Sequence, residues 1–132
     1  MASLKDRLDG KTLTLQWDIG TEDTFNGLLS SAALTRYMLN TSWRLVAMEL
    51  HEGVTSVTAL VQVSHEEPTP AGETLTVEAR VTEIVDNVIR IAFTAADETG
   101  VIAHGFNERH VVDQADLNRL AKKRAEVLKT IL

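Results

Sequence analysis

His65 has the clearest claim to chemistry in this chain. Upstream of it Val57, Ala59, Val61 and Val63 fall on one side of a period-2 ribbon, and His65 is the next residue in that series. An imidazole, a ring able to take up and release a proton, is thereby aimed into the protein at a strand end, before the turn Glu66-Glu67-Pro68-Thr69-Pro70-Ala71-Gly72. At the rim of a cavity such a histidine is suited to general acid–base work. The competing reading is a buried, hydrogen-bonded structural histidine. Of the neighbouring acids, Glu66 falls on the opposite strand phase, while Glu67 lies in the turn and within reach. His104 and His110 share one phase of a later strand but stand six residues apart with no acid in register, so no metal is expected there. His51 reads as an exposed helix-end residue. Arg109, set among apolar residues, points to a salt bridge with a nearby acid. Gly105 marks a bulge or a close approach of backbone or ligand.

These residues need elements to hold them. Thr12 to Ile19 alternates as a first strand and ends at Gly20 and the polar run Thr21-Glu22-Asp23-Thr24. From Ser31 to about Leu50 there is no proline or glycine, and Leu34, Tyr37, Met38, Thr41, Leu45 and Met48 recur at helical spacing. Leu39, Trp43, Val46 and Ala47 add apolar surface on other faces, which predicts a helix enclosed by a larger body such as a curved sheet. Four strand-like runs follow, Val54 to His65, Thr74 to Val85, Val88 to Ala95 and Val101 to Val112, joined by short turns suited to antiparallel hairpins. Gln114 to Leu132 reads as a terminal helix with Leu117, Leu120, Val127, Leu128 and Ile131 along one stripe. The plan is α+β, with about five antiparallel strands wrapped around one long helix. The free edge of so small a sheet predicts a homodimer.

Composition narrows the function classes. With 132 residues the chain suffices for one domain, so residues 1–132 are expected to form a single unit. Apolar residues at 44% and charged residues at 24% exclude a disordered chain. The absence of cysteine excludes disulfides, thiol catalysis and Cys-ligated metals, and makes the cytoplasm the expected location. Met1 to Leu13 lacks the apolar run of a secretion signal, and no stretch approaches the roughly 18 apolar residues that span a bilayer. A net charge of -6 argues against nucleic-acid binding. Lys122-Lys123-Arg124 reads as the wet side of the terminal helix.

Val63-Ser64-His65 followed by Pro68-Thr69-Pro70-Ala71-Gly72 is one specific piece, and Gly105-Phe106-Asn107-Glu108-Arg109 with Val111-Val112 is another. In this order and among these strands, the sequence from about Lys11 to Arg124 resembles the hotdog-fold thioesterases. Within them it is most similar to the fluoroacetyl-CoA thioesterase-like group. The resemblance implies a hotdog fold, an acyl-coenzyme A substrate, active sites at a dimer interface and no metal or other cofactor. A tetramer stays open.

Members of this group carry a hydroxyl near the start of the long helix, a carboxylate further along it and a histidine at the end of the next strand. His65 matches the histidine, and Ser31 fits the hydroxyl position with Ser30 as its near competitor. The carboxylate is missing: an ungapped count puts Leu39 in its place, and Asn40 reaches it only with a one-residue adjustment. By the same resemblance Phe25 lies where apolar residues cover the acyl pocket, and Arg109 supports the site. The implied chemistry has His65 as general base and the N–H groups around Ser31 to Leu34 holding the carbonyl oxygen. Asn40 would orient a water or the imidazole. Helix capping is the competing role for Ser31. The leading reading is a thioesterase for a small or medium acyl-CoA; a noncatalytic acyl-CoA or small-ligand binding module is the alternative, and a hydratase or dehydratase is a weaker third.

Overall fold

The computed structural model describes residues 3–131. In chain order it contains α1 (Leu4–Leu8), β1 (Thr12–Asp18), a 3-10 turn (Thr21–Asp23), β2 (Thr24–Phe25), β3 (Leu28–Leu29), α2 (Ser31–Ala47), β4 (Val54–His65), β5 (Thr74–Val85), β6 (Val88–Asp97), β7 (Gly100–Asp113) and α3 (Gln114–Ile131). The five long strands form one antiparallel sheet in the order β1-β5-β6-β7-β4, which leaves β1 and β4 as its edges. α2 crosses the inner face and touches β1, β4, β5 and β6. This is the α+β arrangement that the order of elements predicts, and the hotdog fold that the resemblance implies.

Packing follows from which residues α2 turns inward. Leu34, Met38 and Leu45 are fully buried, and each contributes about 1.5–3 kcal/mol by leaving water. Around Leu34 and Met38 gather Leu75, Val77, Phe93 and Ile102; around Leu45 gather Leu8, Ala79, Ile89 and Ile91. Leu8 enters this second cluster from α1, a helix that the hydrophobic pattern did not reveal. Ser3 and Asp6 close a capping box at its start. The expected enclosure of α2 is one-sided in this chain: Trp43 and Met48 stay about half exposed. α3 buries none of its residues, so its apolar stripe is uncovered.

An irregularity in β4 sets the phase on which His65 lies. β4 pairs with β7 from Val54↔Asp113 to His65↔Ala103, but the register jumps between Thr58 and Leu60, leaving Ala59 as an extra, bulged residue. Before the bulge Ser56 and Thr58 face inward, where they meet Arg109 of β7. After it Val61, Val63 and His65 take the inward phase, opposite Asn107, Gly105 and Ala103. The single face read from Val57 through His65 is therefore corrected: Val57 lies opposite His110 on the outer face, and Ala59 is the bulge.

Candidate active site

The segment before α2 delivers the chain to the site. Asn26 and Gly27 both adopt positive φ, 55° and 79°, as a two-residue hairpin turn between β2 and β3 requires. The Leu29 N–H donates to the Thr69 carbonyl at 2.7 Å, which lays this hairpin on the turn that follows β4. Asp23 then fixes the helix start. Its carbonyl accepts from the Ser30 N–H at 2.9 Å, and its buried carboxylate accepts from Arg36 Nη2 at 2.7 Å, Tyr37 OH at 2.5 Å and the Gly20 N–H at 3.1 Å. Burial alone would push this carboxyl up, but the donations from Tyr37, Gly20 and Arg36 outweigh it and hold it below the usual carboxylate range.

Ser30 is the N-cap of α2, its hydroxyl accepting from the Ala33 N–H at 3.0 Å. Capping by Ser30 frees Ser31, the first helical residue, whose Oγ lies 2.8 Å from His65 Nδ1. The Ser31 and Ala32 N–H groups, at the positive end of the helix dipole, have no partner among the described residues. At the strand end the Glu66 and Glu67 N–H groups both donate to the Ile102 carbonyl, at 2.8 and 3.1 Å, which holds the backbone just past His65. His65 Nε2 is buried without a hydrogen-bond partner. Beside the pair an open cleft of about 290 Å³ is lined by Leu28, Leu29, His65, Glu66, Glu67 and Pro68. A larger apolar groove of about 420 Å³, lined by Leu13, Leu15, Trp43 and Met48, begins twelve residues further along α2 and lacks the serine and histidine.

The remaining candidates are distributed as follows. Asn40 is exposed and nine residues from Ser31, about 180° around the helix, so it does not join the pair in this chain. Phe25 stands 74% exposed at the hairpin, next to Leu28 of the cleft, and is not core. Gly105 lies opposite Val63, where a Cβ would overlap the Gln62 carbonyl oxygen and press on the Phe93 ring at 2.8 Å. Arg109 sits six residues beyond Ala103 on β7, about 20 Å from the His65 end at roughly 3.3 Å per residue. No carboxylate among the described residues pairs with it. Its partners are Ser56 Oγ and carbonyl, Thr58 Oγ1 and Asn107 Oδ1, at 2.8 to 3.1 Å, and burial pulls its guanidinium down to about 10. The expected acid for Arg109 is thus replaced by neutral oxygens. Glu66 pairs with His104 on the outer face at 2.6 Å, which corrects the reading that no acid stands in register with that histidine. Asp23 was missed because it sits in a polar run that reads as a solvated turn, eight residues ahead of α2.

A paired hydroxyl and imidazole beside free helix N–H groups is an arrangement fitted to acyl transfer. The family model of the fluoroacetyl-CoA-specific thioesterase FlK matches residues 11–115. No curated protein matches the chain by sequence. Among solved structures, a Thermus thermophilus hypothetical protein of the thioesterase superfamily superposes with a TM-score of 0.88 at 18% identity, covering 92% of this chain and 96% of its own. A hot-dog-like protein from Thermanaerovibrio acidaminovorans gives 0.88 at 22%, covering 93% and 97%. A variant of FlK in complex with acetyl-CoA gives 0.84 at 22%, covering 88% and 97%. With four fifths of its length matched by the family model, this chain belongs to the fluoroacetyl-CoA-specific thioesterase family of thioester hydrolases.

Proposed function

We propose that this protein hydrolyses a small or medium acyl-CoA to the free acid and coenzyme A, using His65 as general base. The observation that carries this reading is the 2.8 Å contact between Ser31 Oγ and His65 Nδ1 at a helix start with two free N–H groups. The thioester oxygen is held by the Ser31 and Ala32 N–H groups as charge builds on it. His65 Nδ1 takes a proton from Ser31, or from a water in its place, the new C–O bond forms, and the C–S bond breaks. The same proton is returned to the coenzyme A thiolate, a good leaving group because an ordinary thiol has a pKa near 8.5. If Ser31 attacks first, water hydrolyses the acyl-serine in a second round of the same proton transfers. The residues named supply this chemistry with no metal or other cofactor, so EDTA is expected to leave turnover unchanged.

FlK is specific for fluoroacetyl-CoA, and one of its variants was solved in complex with acetyl-CoA. The position that the resemblance assigns to the family carboxylate holds Leu39, which argues for an acyl preference other than fluoroacetyl. The proposed unit is a homodimer joined through the free edge of β4, and the proposed setting is the cytoplasm. A noncatalytic acyl-CoA binding module is the second reading, favoured by the buried His65 Nε2 that meets no acceptor. Free-thiol release from acetyl- to decanoyl-CoA and aryl-acyl-CoA, with His65→Ala as control, separates the two. Turnover lost in the variant supports hydrolysis. Tight acyl-CoA binding with no turnover in the parent protein would replace it with the binding module.

A further inference from the structure

We propose that Asn107 is a positioning residue for His65, acting through the bulge at Ala59. The kinetic part of this inference rests on the thioesterase reading; the structural part does not. Ser56 and Thr58 face inward. Strict alternation from them would carry Leu60, Gln62 and Ser64 inward and leave His65 on the outer face with Glu66's partner His104. One extra residue at Ala59 reverses that phase, so the meeting of His65 with Ser31 depends on the bulge.

A bulge interrupts the ladder and leaves backbone groups to be satisfied elsewhere. Here the Leu60 carbonyl accepts from Asn107 Nδ2 at 2.9 Å. The Oδ1 of the same amide accepts from Ser42 Oγ at 2.8 Å and from Arg109 Nη1 at 3.1 Å. Arg109 in turn binds Ser56 and Thr58, so the segment on both sides of Ala59 is tied to one fully buried amide. Ser42 lies eleven residues, three turns, beyond Ser31 on α2, and nearly in line with it. Asn107 therefore joins the two elements that carry the reacting side chains, about 17 Å along α2 from Ser31 and about 13 Å along the strands from the His65 end.

The chemistry of the side chain is specific to this task. The site needs a donor for a carbonyl and an acceptor for a hydroxyl and a guanidinium at once, and an amide supplies both. A buried guanidinium with only neutral partners is a poor way to stabilise a core, where packed apolar residues do as well or better. Its retention fits a network that fixes a register.

The test reads His65 directly. Long-range ¹H–¹⁵N NMR of histidine-labelled protein reports the protonation and hydrogen bonding of each ring nitrogen, with Ser31→Ala as the reference for a broken contact. In Asn107→Asp the carboxylate still pairs with Arg109 but no longer donates to Leu60. Its His65 Nδ1 signal is expected to move toward that of Ser31→Ala, and kcat to fall on the order of 10- to 100-fold, with KM within about twofold, as for a misplaced catalytic group. Ser42→Ala is expected to move both in the same direction by less, and it decides the matter alone if Asn107→Asp does not fold. A folded variant with the wild-type His65 spectrum, or one that loses rate only through KM, overturns the proposal. If the parent protein hydrolyses no acyl-CoA, the thioesterase reading fails while the His65 spectrum still decides the role of Asn107.

Discussion

Ser30 and Ser31 are chemically identical neighbours with separable roles, because one hydroxyl faces a helix N–H and the other an imidazole. Ser30→Ala is expected to lower stability by about 0.5–2 kcal/mol through loss of the cap. Ser31→Ala, with no cap to lose, should stay within about 0.5 kcal/mol of the parent while thiol release falls sharply. His65→Ala is expected to lower kcat by about 10² to 10⁴. Thermal unfolding beside thiol release checks all three, and a rate loss for Ser30→Ala as large as that for Ser31→Ala would contradict the division. Asp23 makes a different prediction. Its carboxyl is held below the ordinary range when folded, so its contribution is fully present above the unfolded value of about 4 and is lost as pH falls through the lower folded value. Asp23→Asn should therefore flatten the acid limb of a stability-against-pH curve measured by denaturant midpoints, and be less stable than the parent at pH 7. His65 was legible in the sequence because Val61, Val63 and His65 keep one phase after the bulge. Asp23 was not, because its partners Arg36 and Tyr37 lie a full helix turn or more into α2 and meet it only in the folded chain.

At the scale of elements, the strands and α2 were readable because their periodicities persist over ten or more residues, and the observed ends differ from the expected ones by only a few positions. Two-residue strands carry no periodicity, so β2 and β3 escaped even though Asn26-Gly27 is a strong hairpin signal. The Ala59 bulge escaped for a different reason: no glycine or proline marks it, and what holds it is Asn107, 48 residues away in sequence and two positions past Gly105. The inward phase of β7, which runs Ala103, Gly105, Asn107 and Arg109, was the one local hint that polar groups face α2. Gly105 itself is a packing requirement with consequences for the site. Because a Cβ there would overlap the backbone oxygen of Gln62, relief requires β4 to shift, and β4 ends in His65. Gly105→Ala is expected to cost about 1–3 kcal/mol and to lower thiol release in the fraction that remains folded. Chemical denaturation and active-site titration of the same sample check the two effects separately.

At the scale of the whole molecule, the sheet has two free edges of unequal character. β1 is seven residues long and exposes Thr12, Thr14, Gln16 and Asp18 between its half-buried apolar residues. β4 is twelve residues long and carries Val57, Ala59, Leu60, Val61 and Val63, with Leu60 46% exposed. An apolar edge of that length pairs with another strand unless something blunts it, and beyond the bulge at Ala59 the run Leu60 to His65 carries no proline and no acidic, lysine or arginine side chain. A second copy laid along β4 would run beside Val61, Val63 and His65, and would make the site a property of the dimer. Leu60→Lys places a charge on that edge and is expected to convert the proposed dimer to monomer in sedimentation equilibrium, with thiol release falling in parallel. Thr14→Lys, on the exposed face of β1, is the matched control and should leave both mass and rate unchanged. If Leu60→Lys stays dimeric, the uncovered stripe of α3 or the groove at Trp43 holds the subunits together instead, and the His65 cleft is complete within one chain.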